Sequence, residues 1–239
     1  MPEPSRPDNF ETSGAPVKSD AKLKPSALPQ APSRGEFVYH ELRQAILDGH
    51  YKPGQPVRET EVAVRLNVSR TPVREAFRRL QTDGILQFTP WRGVVVAELD
   101  ERQIVELYAM RKVLEGTAAS MAARNATTDQ IAGLERNIIQ TEGLTDPERL
   151  ANLNREFHHA LFVAADNRYL LHAMNALRDP MALLSKTTYS VSDRPVTAQT
   201  EHRQILAVIK QRDGAAAEKL AFDHIAMAEQ ARLKLLQGG

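Results

Sequence analysis

The chain has 239 residues, and its 31 Lys+Arg against 30 Asp+Glu leave a formal charge of +1, which excludes a bulk polycation but not a local basic patch. With no cysteine there is no disulfide scaffold, thiolate zinc finger, iron–sulfur cluster or cysteine nucleophile. No apolar run approaches the roughly 18 residues that span a bilayer, and the first residues, MPEPSRPDNFETSG, lack the apolar core of a secretory signal, so a cytoplasmic protein with no membrane partner is expected.

Residues 1–34 hold seven of the 14 prolines among Ser, Ala, Lys and Asp, with no helical or strand period. Such a segment buries too little apolar surface to offset its chain entropy, and a disordered tail is expected. From Glu36, the residues Val38, Leu42, Ala45 and Ile46 recur at helical spacing until Gly49 and Pro53-Gly54 stop the helix. A short second helix fits Glu59–Leu66, and Asn67-Val68 makes a turn. Ser69 then starts a third helix that carries Val73, Phe77 and Leu80 on one face and halts at Asp83-Gly84. Two β-rich runs, Ile85–Phe88 and Gly93–Ala97, are joined by Thr89-Pro90-Trp91-Arg92 as a hairpin. Helix, helix, turn, helix, hairpin describes a winged helix-turn-helix over residues 35–99.

After Asp100 the pattern is all helical, about six helices through residues 100–239. Asp100 with Gln103 and Thr127 with Gln130 read as capping boxes, and Asp146-Pro147 as an N-cap with proline at the first helical position. Pro180 should break or kink a helix begun near Arg168. Arg194-Pro195 and Asp213-Gly214 mark the last two starts. The fold class is therefore mainly α: a winged domain followed by an all-α bundle.

The third helix carries the strongest functional signal. From Arg65 to Arg79 there are five arginines and one acid. Arg70 and Arg74, four apart, share an exposed face near the helix start. In a recognition helix such arginines reach base edges, where a bidentate contact to guanine is worth roughly 1–3 kcal/mol of discrimination. The Ser69 and Thr71 hydroxyls and the free first-turn N–H groups suit phosphate. Arg92-Gly93 at the hairpin tip would form the wing beside the minor groove. Trp91 either wedges against DNA or packs on the domain, packing being the plainer expectation.

The string from Leu42 to Leu86, LRQAILDGHYKPGQPVRETEVAVRLNVSRTPVREAFRRLQTDGIL, resembles the DNA-binding domain of the GntR family of bacterial transcription regulators. The resemblance implies DNA contact at Ser69, Arg70, Thr71, Arg74, Arg92 and Gly93, with Arg58 a weaker candidate. Asn67 stands where the family usually has glycine, and asparagine tolerates the left-handed conformation that the turn requires.

Within the helical half, the predicted helix Pro147–Ala165 turns Leu150, Leu153, Phe157 and Leu161 inward. Asn154 and His158 flank that stripe, while His159 points about 100° away. His202 sits beside Ile205, Leu206 and Ile209, and His224 follows Leu220 by four. Each histidine is either a hydrogen-bonded core residue or one of three metal ligands that converge in the bundle. LNREFHHALFVAADNRYL and EHRQILAVIKQRDGAAAEKLAFDHI resemble the FCD ligand-binding domain of the FadR subfamily, in its six-helix, VanR-like variety. That resemblance implies a divalent metal, zinc or nickel, at Asn154, His158, His202 and His224, with Asn154 replacing the family's usual Asp. Arg111, in LYAMRKVLEG, matches an arginine that often faces the effector cavity. Its partner is either Glu115, four residues on, or the carboxylate of a small organic acid effector.

What the resemblance implies is a ligand-responsive regulator, a repressor in most family members, that binds a palindromic DNA operator as a homodimer. The alternatives are a metal-dependent enzyme in the bundle or a DNA-binding protein without an effector. A ferritin-like oxidase needs two Glu-x-x-His motifs, and only Glu156–His159 occurs. No His-Glu-x-x-His, nucleophile elbow or P-loop is present, so no catalytic residue is expected.

Overall fold

Ser33 Oγ accepts the Glu36 N–H at 3.1 Å, and this cap starts helix α1 (Arg34–Leu47) two residues before the sequence pattern does. The computed structural model describes residues 33–184 and 186–237; the expected tail, Ser33 and Arg34 apart, lies outside the described residues. Helices α2 (Glu59–Arg65) and α3 (Arg70–Thr82) follow, with Asn67 between them in the left-handed region at φ 51°. Gly84, at φ 71°, closes α3 by letting the Ile85 N–H reach back to the Leu80 carbonyl at 2.9 Å.

Strands β1 (Leu86–Thr89) and β2 (Gly93–Val96) pair antiparallel, Leu86 opposite Val96 and Thr89 opposite Gly93. The segment before α2 pins the hairpin from its other edge. There the N–H groups of Gly54 and Val57 donate to the carbonyls of Val96 and Val94, each at 2.9 Å. Val38, Leu42 and Ile46 of α1 pack on Val73, Phe77 and Leu80 of α3 and on Ile85, Leu86 and Val96 of the hairpin. Burial of such side chains stabilises the domain by about 1.5–3 kcal/mol each.

The helical half consists of α4 (Glu101–Asn125), α5 (Thr128–Gln140), α6 (Pro147–Ala164), α7 (Arg168–Ala176), α8 (Arg178–Ala182), a 3₁₀ turn at Thr188–Ser190, α9 (Arg194–Lys210) and α10 (Gly214–Gln237). Both capping boxes form, and Asp146 caps α6 ahead of Pro147. One boundary moves. The helix expected to break at Pro180 ends at Ala176, because the Pro180 ring would collide with the carbonyl four residues back, and the chain restarts as the one-turn α8. Small residues draw α4 and α10 together. Ala119, Ala122 and Ala123 are buried in one cluster with Ala217 and Ala221, and a Cβ on Gly116 would lie 3.2 Å from the Glu218 carbonyl oxygen. Arg212 caps the end of α4 by donating from Nη1 to the carbonyls of Ala123 and Ala126 at 3.2 and 2.8 Å.

The two halves are latched by α8. Arg43 of α1 donates from Nε and Nη2 to Asp179 at 2.9 and 2.5 Å, and Leu183, just after α8, is a buried member of the winged domain's core. Its neighbour Leu184 packs instead with Ile104, Tyr108 and Ile225 of the bundle.

Candidate functional site: a DNA-reading face and a buried histidine centre

Helix α3 buries Pro72, Val73, Ala76, Phe77 and Leu80, which leaves Ser69, Arg70, Thr71 and Arg74 exposed together around its first turns. Ser69 occupies the N-cap position, but its side chain makes no capping hydrogen bond. Its hydroxyl is therefore free for a phosphate. Glu59 of α2 adds a feature that the arginine run alone did not suggest. Arg74 Nε donates to Glu59 Oε2 at 2.9 Å, and Arg70 Nη2 lies 3.9 Å from the same oxygen. One carboxylate thus gathers the two exposed guanidinium groups at the start of α3. Arg79 sits elsewhere, its guanidinium 3.9 Å from the centroid of the Tyr39 ring, tying α3 to α1. Arg58, at the exposed start of α2, pairs with Glu61 at 3.0 Å.

At the wing, Gly93 takes φ 74° and Arg92 is exposed. The expectation that Trp91 packs on the domain is wrong: its side chain is 96% exposed. Burial in the hairpin thins at the Phe88–Val94 pair, where Phe88 is already exposed, so a residue in the far turn has little buried surface within reach.

The three bundle histidines do meet. His158 of α6, His202 of α9 and His224 of α10 are 7%, 3% and 2% exposed. His224 Nε2 lies 3.2 Å from the Nε2 atoms of both His202 and His158. His202 stacks on Phe157 at 4.1 Å between centroids, and His158 stacks on His224 at 5.1 Å. His159 is exposed, as its angle on the helix predicts.

Two arginine–glutamate pairs hold the outer edges of these rings. Arg111 Nε donates to Glu115 Oε1 at 2.9 Å, and Glu115 Oε2 lies 2.6 Å from His158 Nδ1, off the line of an ideal hydrogen bond. Arg194 Nη1 donates to Glu201 Oε2 at 2.6 Å, and the same oxygen lies 2.6 Å from His224 Nδ1. At His224 the 2.6 Å approach of Nδ1 to Glu201 favours the proton on Nδ1 and the lone pair on Nε2, whereas Glu115 faces His158 Nδ1 as a close ion-pair contact outside hydrogen-bond alignment. Burial works to raise the Glu115 carboxyl, but Arg111 and then His158 pull it down to about 2. Burial pushes Glu201 above the usual carboxylate range, with Arg194 opposing the rise. Burial first, then neighbouring positive charge, pushes His202 and His224 well below the ordinary imidazole value. Both shifts favour the neutral ring, the form in which imidazole binds a metal.

Of the two partners open to Arg111, the structure supplies the internal one, and the guanidinium also lies 4.7 Å from the Tyr108 ring centroid. Asn154, one turn before His158, accepts a hydrogen bond on Oδ1 from the Tyr189 hydroxyl at 3.0 Å.

Residues 34–96 match the bacterial regulatory proteins of the gntR family, and residues 106–227 match the FCD domain. The HTH-type transcriptional regulator YdhC of Bacillus subtilis (strain 168) is 30% identical over 190 residues, covering 78% of this chain and 85% of that protein. This chain belongs to the GntR family. The HTH-type transcriptional repressor RspR of Escherichia coli (strain K12) is likewise 30% identical, over 79% of this chain and 84% of its own. The same fold is seen in E. coli McbR/YncC, with a TM-score of 0.69 and 24% identity over 85% of this chain and 99% of that one. The protein is thus a DNA-binding transcription regulator and not an enzyme, built as a GntR winged helix-turn-helix followed by an FCD helical domain.

In this GntR regulator Ser69, Arg70, Thr71 and Arg74 are exposed at the start of α3, Arg92 is exposed and Gly93 half-buried at the wing, Arg58 is exposed at the start of α2, and the three histidines form one cluster. Sequence reasoning missed Glu59, Glu201, Arg194 and Tyr189, and saw Glu115 only as a partner for Arg111. An acid on the buried stripe Leu107–Arg111–Glu115–Ala118 was the available signal for Glu115. Tyr189 lies in an irregular segment with no period to place it.

Proposed function

We propose that the protein is a metal-dependent repressor which binds a two-fold operator as a homodimer and is released by a small carboxylate effector. The observation that carries the reading is the triple approach of Nε2 atoms. With a carboxylate beside each Nδ1, the Nε2 atoms of His158 and His224 are left facing each other at 3.2 Å. Such a contact calls for a proton or a metal cation between the two nitrogens. Ligands about 2.0–2.1 Å from one tetrahedral ion stand about 3.3 Å apart, close to the spacing here. His158, His202 and His224 would hold the ion, and imidazole donors suit zinc or nickel. Bound there, the metal would supply a Lewis-acidic position open to an anion. Glu115 and Glu201 orient the rings, as outer carboxylates do at histidine metal sites. Asn154 has its oxygen turned to Tyr189 and serves better to position α6 than to ligate.

The buried polar set also favours a sensor over an effector-free structural bundle, since two arginines, one glutamate and three histidines inside a core, with the half-buried Glu201 at its edge, are costly to bury and add no packing advantage. Homodimerisation is supported by unpartnered apolar residues on adjoining helices: Val105, Met110 and Val113 of α4 and Phe222 of α10, whose Cβ faces Gly116. The test is a mobility-shift titration of the full chain on a selected duplex, with citrate, malate and other chelating acids as probes. Release by a chelating acid only in metal-loaded protein supports the reading; indifference to every acid and to metal refutes it.

On the DNA side, Arg70→Ala and Arg74→Ala should each cost about 1–3 kcal/mol on the specific site and little on random duplex. Arg79→Ala, which removes the stack on Tyr39, should leave the ratio of specific to random affinity unchanged. Equal losses on both duplexes for all three variants would contradict the assignment of Arg70 and Arg74 as base readers. Communication between the halves runs through α8. Asp179→Ala should shrink, by several-fold, the difference in operator affinity between metal-loaded and chelator-treated protein; an undiminished difference in that variant would remove the latch from the pathway.

A further inference from the structure

Trp91 is the only tryptophan in the chain and the most exposed large apolar side chain among the described residues. Phe88, on the same hairpin, is 67% exposed. Leaving both rings in water forgoes the burial that most large apolar residues of this domain obtain, and two exposed rings on one hairpin are the mark of a surface that meets a partner. The tip that carries the indole is stiff. Thr89 Oγ1 donates to the Gly93 carbonyl at 3.3 Å, Gly93 closes the turn at positive φ, and Pro90 fixes its own φ. An aromatic side chain on a stiff turn loses little conformational freedom when it binds.

We propose that Trp91 is a DNA wedge whose indole enters the minor groove beside the site gripped by α3 and kinks the duplex there. The inference rests on the DNA-binding function and extends it to the shape of the DNA. Continuity with the α3 face favours DNA as the occupant, because hairpin and recognition helix share one core and Leu86 and Phe77 are both buried in it. Charge does so too: Arg92 and Trp91 are adjacent and exposed, a cation beside an apolar wedge. An undistorted minor groove is about 6 Å wide, too narrow to admit an indole and a guanidinium together. Apolar side chains that enter it unstack a base step and bend the duplex by about 20–90°. Flexible pyrimidine–purine steps are the cheapest to open, so selected sequences should carry TA or CA at the wing position.

The test uses the full chain and duplexes it selects from a randomised library two helical turns long. Because Trp91 is the sole indole, acrylamide quenching of intrinsic fluorescence reads its exposure directly, while a mobility shift on the same sample establishes saturation. The expected result is a several-fold fall in quenching on binding and a bend seen by energy transfer between the duplex ends. Trp91→Ala should lose about ten- to hundredfold in affinity together with most of the bend, and Trp91→Phe should retain most of both. A saturated complex in which Trp91 is as accessible as in free protein, or a Trp91→Ala variant that binds and bends like the parent, overturns the wedge while leaving DNA binding intact. Failure to select any duplex overturns the DNA-binding reading, and the wedge with it.

Discussion

Glu115→Ala is expected to lower the free energy of unfolding by about 3–5 kcal/mol, the largest effect of any single substitution considered. Glu115 is 1% exposed and serves two partners at once, Arg111 through one oxygen and His158 through the other. Removing it strands a guanidinium that is itself buried against Tyr108, far from solvent. The cost arises less from the lost ion pair than from the uncompensated charge left behind. A double-mutant cycle separates the two: Arg111→Met with Glu115→Leu should recover most of the loss, because an apolar pair of similar volume needs no counter-charge. Urea unfolding of the parent, Glu115→Ala, Arg111→Met, Glu115→Leu and the double variant measures this. A Glu115→Ala variant within about 1 kcal/mol of the parent, below the range expected for a broken buried pair, would mean that Arg111 has another partner.

The second large effect concerns the metal. Protein prepared without an affinity tag should carry about one zinc or nickel ion per chain by elemental mass spectrometry, and His224→Ala should carry none. His224 is the most informative choice because its Nε2 touches both other Nε2 atoms. A ligand held at a thousand times its Kd stabilises the fold by about 4 kcal/mol, and each kcal/mol moves Tm by about 2–4 °C at this chain length. Stripping with a chelator should therefore lower Tm by on the order of 10 °C. The His224→Ala variant should be indifferent to chelator. Metal-free protein whose melting ignores added zinc and nickel would reduce the histidines to a neutral polar lining. The contacts on α3 would be unaffected.

Local signals made most of the fold legible. Asp100–Gln103 and Thr127–Gln130 form the capping boxes their spacing announces, and Asn67 adopts the left-handed turn its side chain permits. These features are decided within four residues of chain, so sequence order suffices to find them. The site was legible in a different way. Periodicity put His158, His202 and His224 on inward faces, but their meeting depends on how α6, α9 and α10 are rotated against each other. The carboxylates behind them were less visible still. Glu201 reads as an ordinary surface acid beside His202, and only the packing of α9 on α10 turns it toward His224. Trp91 was misjudged for the opposite reason: a large aromatic side chain suggests a core, and nothing local reveals that the hairpin outruns it.

Leu183 carries a consequence for how such regulators are assembled and exchanged. Its position in sequence assigns it to the helical half, yet its side chain completes the interior of the winged half, with Arg43 and Asp179 alongside. A fragment excised at residue 99 would leave one of its own core residues behind, and a chimera that grafts these DNA-reading helices onto another bundle would have to import a matching plug. The two halves are therefore a fitted pair: drift at position 183 is constrained by partners more than a hundred residues earlier in the chain, and sensors can be shuffled freely only among relatives that keep that peg and its socket.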